Sequence, residues 1–197
     1  MWEERFATPD YLFGTEPAEF VCREAVRLAP TSDVLCLADG EGRNSVYLAG
    51  LGHRVAAMEM APSAIAKARA LAAARGVTVD IQQADIATWD WKPDQYDAIF
   101  AVFIQFAPPS LRDAIFAGMI RTLRPGGLVF LHGYTPKQLE FGTGGPKVIE
   151  NLYTSELLAK SFDGLRIEHM LTYEAELDEG TAHHGPSALI DLIARKV

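Results

Sequence analysis

The sequence predicts an α/β fold in which helices cover both faces of a mostly parallel sheet. Three observations carry that prediction. Short apolar runs alternate with helix-like segments along the chain, the pattern left by strand–helix–strand crossovers. The first apolar run leads directly into a two-glycine loop and then a helix. The candidate strand ends collect the residues able to do chemistry, where open α/β sheets bind their ligands.

The elements follow in order. Glu16 to Leu28 places Phe20, Val21, Ala25 and Leu28 near helical spacing and stops at Ala29-Pro30. Val34-Leu35-Cys36-Leu37 reads as a buried parallel strand. It runs into Gly40-Glu41-Gly42 and a helix through Val46, Tyr47 and Leu48 that stops near Gly50 and Gly52. Arg54 to Met58 is the next strand. Pro62 opens an alanine-rich helix over Ser63 to Ala74, and Gly76 closes it. Val77, Val79 and Ile81 alternate with polar residues, a strand period. Tyr96 to Phe103 is the most apolar strand and belongs at the centre. A helix from Ser110 to Leu123 ends at Pro125-Gly126-Gly127, and Leu128 to Leu131 is a strand. A helix over Ser155 to Phe162 precedes strands from Leu165 to about Thr172 and from Ala188 to Ala194.

Composition narrows the function classes. A chain of 197 residues with 49% hydrophobic content fits one globular domain. We divide it into an N-terminal lid and helix (1–30), a nucleoside-binding core (31–134), and substrate-side loops with the final strands (135–197). The net charge of −8, without a compensating basic patch, argues against a nucleic-acid partner. No apolar run approaches the ~18 residues that span a bilayer, and the charged N-terminus has no signal-peptide core, so a cytoplasmic location is expected. Cys22 and Cys36 show no metal-ligand spacing; both read as reduced core thiols, and no metal site is expected. Oligomeric state is not legible.

The strand ends are more specific. Ala38-Asp39-Gly40-Glu41-Gly42-Arg43-Asn44 follows the first strand, with glycines that allow a tight turn and close ligand approach. A full G-x-G-x-x-G is absent, because Ala38 and Ser45 stand at two of its positions. Glu59 ends the second strand about 20 residues after the loop, where a carboxylate accepts ribose hydroxyls. Asp85 ends the third, placed to accept from an adenine amino group with Ile86 against the ring. Each has an ordinary alternative: a strand-to-helix turn, a solvated carboxylate and a turn cap.

Together these residues, with Tyr96-Asp97-Ala98-Ile99 and Leu123-Arg124-Pro125-Gly126-Gly127, resemble the class I S-adenosylmethionine-dependent methyltransferases. Within that superfamily the chain is most similar to the tellurite-resistance (TehB-like) and thiopurine methyltransferase-like group. Trp2-Glu3-Glu4-Arg5-Phe6, Tyr11 to Pro17, Gly40 to Asn44, Gly144-Gly145-Pro146 and Glu179 to Gly185 carry that likeness. The resemblance implies a Rossmann-like three-layer sandwich with a seven-stranded sheet whose last strand is antiparallel. It implies S-adenosylmethionine as cofactor and S-adenosylhomocysteine as product. It places Cys36, Ala38, Asp39, Gly40, Gly42, Arg43 and Asn44 around the methionine end, and Glu59 and Met60 at the ribose. Ala84, Asp85 and Ile86 fall at the adenine, and Val102 and Phe103 border cofactor and substrate. Two positions depart from the family: Cys36 stands where an acid is usual and Ala38 where glycine is usual. Asp39 is the acid available to substitute.

On the acceptor side, His183 and His184 sit in a glycine-bounded loop and, with Gln105, are the candidate catalytic residues. Arg5, Tyr11, Phe13, Phe106 and Tyr134 are candidate substrate contacts, the aromatic N-terminal segment acting as a lid. His132 at the end of the fifth strand reads as rim packing. The expected reaction is methylation of a small molecule, a thiol or chalcogen compound, without nucleic-acid or membrane partners. No Asn/Asp-Pro-Pro-Tyr motif supports amino methylation of bases. The alternatives are a non-catalytic S-adenosylmethionine-binding protein and an NAD-dependent reductase. The reductase lacks a Tyr-x-x-x-Lys pair, since Tyr153 is followed four residues later by Leu157.

Overall fold

The computed structural model describes residues 2–197. Seven strands form one sheet in the order β3-β2-β1-β4-β5-β7-β6: β1 (Asp33–Leu37), β2 (Arg54–Glu59), β3 (Asp80–Gln83), β4 (Tyr96–Val102), β5 (Leu123–Tyr134), β6 (Leu165–Asp178) and β7 (His184–Lys196). The β1–β2, β2–β3 and β4–β5 pairs are parallel; β7 runs antiparallel to both β5 and β6. This is the expected α/β class with its antiparallel last strand. The chain gathers into two compact units, residues 2–89 with 179–182, and residues 90–178 with 183–197.

In the first unit, α1 (Trp2–Phe6), α2 (Glu19–Glu24), α3 (Arg43–Gly50) and α4 (Pro62–Arg75) accompany β1 to β3. Four of the five β1 residues are buried, as expected of a strand covered on both faces. Pro62 stands at the first helical position of α4, and Gly76, at φ +66°, ends it, the asymmetry read from the sequence. Two expectations change. The helix expected over Glu16 to Leu28 is a six-residue α2 followed by a 3-10 turn at Ala25–Arg27. The strand expected from Val77 begins only at Asp80, because Val77 and Val79 pack against Val46, Leu71 and Ala72.

In the second unit, α5 (Pro109–Thr122), α6 (Gln138–Phe141) and α7 (Ser155–Ser161) accompany β4 to β7. Phe100 and Phe130 are cross-strand partners whose rings stack at 4.4 Å, fixing the β4–β5 register. β5 begins at Leu123 rather than Leu128, and its pairing with β4 slips between Tyr96 and Ala98 at the Pro-Gly-Gly stretch. β6 and β7 are 14 and 13 residues long, well beyond the expected runs, and pair from Leu165–Lys196 to Asp178–His184. Among the described residues, no helix is long and apolar enough to cross a membrane.

Candidate functional site

The loop after β1 holds an unusual density of left-handed backbone. Ala38, Gly40 and Gly42 have φ of +45°, +61° and +87°. Gly42 requires its missing side chain: a Cβ there would lie 2.7 Å from Ala68 Cβ on α4. Ala38 has no such licence and sits in a region that costs an l-residue about 1–2 kcal/mol. Strain of this kind collects at ligand sites.

Glu59 fixes the loop from the end of β2. One carboxylate oxygen accepts the Gly40 N–H at 2.9 Å, and the other accepts Met60 and Ala61 N–H at 2.8 and 2.9 Å. Three of roughly four acceptor positions on the carboxylate are therefore used. The side chain assigned to the ribose is first of all the clasp of the glycine loop. Asp39 accepts a short hydrogen bond from the Ser45 hydroxyl at the start of α3. Burial pushes its carboxyl up to about 7; the Glu59 charge adds to the shift, while Ser45 and Arg43 oppose it. Cys36 is buried in β1, and its thiol is raised well above the usual range by burial and then by the Asp39 charge. The acid missing at position 36 thus has a neighbour of perturbed acidity three residues on, a mark of functional sites.

Glu41, Arg43 and Asn44 bind other parts of the same unit through their side chains. Glu41 accepts the Leu12 N–H at 2.7 Å and pairs with Lys67 Nζ at 2.7 Å. Arg43 pairs with Glu179 at 2.8 Å and donates to the Phe13 carbonyl at 3.2 Å. Asn44 accepts the Ala18 N–H at 2.9 Å. Arg43 and Asn44, expected at the cofactor, spend these side-chain bonds holding residues 12–18 and Glu179 to the loop. Phe6 lies over the loop, 3.4 Å from where a Gly40 Cβ would sit, and packs with Ala61, Ala64, Leu12 and Phe13. Tyr11 donates to the Lys67 carbonyl at 3.0 Å. Arg5 is exposed, its guanidinium 4.3 Å from the Trp2 ring centroid. Met60 is 62% exposed, Ala84 is half-buried beyond β3, and Ile86 is buried. Asp85 accepts the Ala87 N–H at 2.9 Å, the turn-capping role weighed against the adenine role.

The second unit gathers a different set. Val102 ends β4, and Phe103 just beyond it, at φ +56°, is another left-handed non-glycine residue. Its half-buried ring meets His183 at 4.2 Å, His132 at 4.6 Å and Tyr134 at 4.8 Å between centroids. His183 and His184 part company: His183 is buried in this cluster, while His184 is exposed and 3.2 Å from Asp178. Gln105 is buried with its amide committed to backbone. It donates to the Tyr134 and Asn151 carbonyls at 2.8 and 3.2 Å and accepts the Tyr134 N–H at 2.6 Å. Gly133 admits this contact, since a Cβ there would lie 2.6 Å from the Gln105 oxygen. Gln105 therefore splints the end of β5. Phe106 is exposed at the start of the following loop.

Sequence reasoning missed one pair. His132 on β5 and Asp191 on β7 are cross-strand partners, 2% and 0% exposed, with Nδ1 2.6 Å from the carboxylate. The signal was present: Asp191 is the one charged residue in the apolar run Ala188 to Ala194.

Residues 34–127 match the family model described as a methyltransferase domain. A 2-heptyl-1-hydroxyquinolin-4(1H)-one methyltransferase of Mycobacteroides abscessus is 29% identical over 134 residues, 65% of this chain and 57% of the relative. The chain spans still less, 40%, of the first mycobacterial relatives it matches. Among solved structures, TehB from Haemophilus influenzae aligns over 100% of this chain and 66% of its own, with a TM-score of 0.73 and 19% identity. The N-methyltransferase NodS from Bradyrhizobium japonicum in complex with S-adenosyl-l-homocysteine aligns over 99% and 96%, with a TM-score of 0.75 and 14% identity. Residues 34–127 are thus similar to a methyltransferase domain, and the chain shares the fold of TehB and NodS.

Proposed function

We propose that the chain is an S-adenosylmethionine-dependent methyltransferase acting on a small molecule. The observation that carries the reading is the loop from Ala38 to Gly42, left-handed at three positions and clasped by the buried carboxylate of Glu59. The methyltransferase-domain match covers this loop, and the M. abscessus relative is itself a methyltransferase.

The residues present fit the cofactor. Asp39, raised to about 7, is suited to an amino group, because a nearby cation returns it to its ionised form. Glu59 keeps one acceptor position for a ribose hydroxyl beyond its three backbone bonds. Ile86 is the apolar surface for the adenine and Asp85 the acceptor beside it. The bound cofactor supplies an electrophilic methyl group, and the protein supplies orientation and a suitable electrostatic setting. Our acceptor reading is a soft nucleophile, a thiol or chalcogen compound, consistent with the TehB-like N-terminal run. Phe103, Tyr134 and His183 form the acceptor-side surface, with His183 rather than exposed His184 in the cluster.

The test is formation of S-adenosylhomocysteine by the purified chain with a panel of thiols, selenols and chalcogen oxyanions beside hydroxyl and amine acceptors. Turnover on any acceptor supports the reading. Binding of the cofactor with no turnover across the panel would favour a non-catalytic role.

A further inference from the structure

Two carboxylates flank the Asp39–Gly40 turn, and their surroundings differ. Glu59 is buried and accepts three backbone N–H groups, from Gly40, Met60 and Ala61, which stabilise its charge. Asp39 is half-buried; among the described residues its donors are the hydroxyl and the backbone N–H of Ser45. The Glu59 charge opposes a second one on Asp39, so a single proton on this acid pair belongs to Asp39. The other ionisable groups facing Asp39, among the described residues, are the Cys36 thiol on β1 and the Arg43 guanidinium on α3. Arg43 is bound to Glu179 and the Phe13 carbonyl.

Ser45 is placed to follow that proton. It is fully buried in the first turn of α3, and its Oγ lies in short contact with Asp39 Oδ2 and 3.2 Å from the Gly42 carbonyl oxygen. One hydroxyl proton does not serve both acceptors fully. With Asp39 protonated, the carboxyl donates to Ser45 Oγ and Ser45 donates to Gly42. With Asp39 ionised, the Ser45 proton turns to the carboxylate, and the Gly42 carbonyl keeps the Val46 N–H at 2.9 Å. Both states satisfy Ser45 and Gly42, and they differ by the rotation of one hydroxyl.

From this we infer that Asp39 and Ser45 form a proton switch: Asp39 expels one proton to solvent when the cofactor's ammonium group docks, and the Ser45 hydroxyl turns from Gly42 to the carboxylate. The inference rests on the S-adenosylmethionine reading and adds how pH regulates that site. The Asp39 O–H bond breaks, its electron pair stays on the carboxylate oxygen, and the proton leaves to water. No bond of the ammonium group changes. Ser45 acts only through Asp39 and is a positioning residue. Asp39, raised to about 7, carries its proton in the free protein below that pH. Affinity for an ammonium ligand should therefore approach a ~10-fold loss per pH unit below that value and level off above it.

The experiment is calorimetric titration of the full chain with S-adenosylhomocysteine at pH 6, in buffers of different ionisation enthalpy. Release of about one proton per ligand bound is expected. Absence of binding overturns the cofactor reading, and the inference with it. Binding without proton release overturns the inference and leaves the reading standing. A second readout follows the 13C signal of the Asp39 carboxyl by NMR. In the free wild type it should titrate at about 7, and an ordinary carboxylate midpoint overturns the inference. With S-adenosylhomocysteine bound, the signal at pH 6 should be that of the ionised carboxylate; a protonated signal overturns it. In Ser45→Ala, the midpoint of the free protein should rise by about one pH unit, since a hydrogen bond to the charged form is lost. An unchanged midpoint removes Ser45 from the switch and overturns the inference as stated.

Discussion

Removing the Glu41 carboxylate tests whether the glycine loop and the N-terminal segment are one mechanical piece. Its side chain is 1% exposed, and it faces Lys67 Nζ at 2.7 Å and the N–H groups of Leu12 and Phe13 at 2.7 and 3.4 Å. Glu41→Gln keeps the shape and one acceptor but takes the counter-charge from the Lys67 ammonium, which is 14% exposed and keeps its bond to the Asp10 carbonyl at 2.6 Å. Breaking a buried pair from one side costs about 3–5 kcal/mol, and the residual solvation of Lys67 with its retained Asp10 bond points to the lower end, about 3. For a chain of this size each kcal/mol moves Tm by about 2–4 °C, so a drop of about 6–12 °C is expected. Calorimetric melting measures it, and limited proteolysis between residues 8 and 17 reports release of the segment. A double-mutant cycle with Lys67→Met isolates the ion pair. A Tm change under about 2 °C with unchanged proteolysis would refute the clasp, since exposed pairs are worth only about 0.2–1 kcal/mol.

Three further outcomes follow from the same loop. Ala38→Gly should raise stability by up to about 1 kcal/mol, relief of left-handed strain exceeding the added freedom of unfolded glycine; a lower Tm contradicts it. Gly42→Ala should cost about 2–5 kcal/mol, combining a positive φ with a Cβ 2.7 Å from that of Ala68, and thermal melts that leave it at wild-type stability refute the packing. Asp39, raised to about 7, keeps its proton in the folded protein where the unfolded chain has lost it. Stability should therefore fall as pH rises from about 4 to about 7 and level off above. Asp39→Asn should remove that slope, and parallel Tm–pH curves for the two proteins would contradict the assignment.

The sequence was most legible where local chemistry and burial agree. Pro62 and Gly76 bracket α4, and the unbroken apolar runs of β1 and β4 are read correctly because both faces are covered. It was least legible where tertiary contacts decide. The five-residue α1 is too short to stand on propensity and exists because Phe6 packs on Ala61 and Ala64. The second half of β6 was missed although Tyr173, Ala175 and Leu177 alternate with Glu174, Glu176 and Asp178. That alternation is the signature of a strand with one wet face, not of an apolar run.

The site divides in the same way. Residue type and spacing placed Ala38, Gly40, Glu59 and Asp39 around one loop, but spacing does not reveal where a side chain spends its hydrogen bonds. Arg43 and Asn44 look like cofactor contacts in sequence, and their side chains also fasten Glu179, Phe13 and Ala18, partners that are distant in the chain. Gln105 presents the same problem, since its partners Tyr134 and Asn151 are 29 and 46 residues away. His132 and Asp191 become a pair only through the β5–β7 register.

The most direct test of the central claim is calorimetric titration of the wild type and Glu59→Ala with S-adenosylmethionine and S-adenosylhomocysteine, using NAD as control. Saturable binding of both sulfur compounds, none of NAD, and a loss of at least ~10-fold in the variant are expected from a charge-assisted contact at the loop. A wild-type protein that binds neither sulfur compound, or a variant that binds them unchanged, would contradict the account.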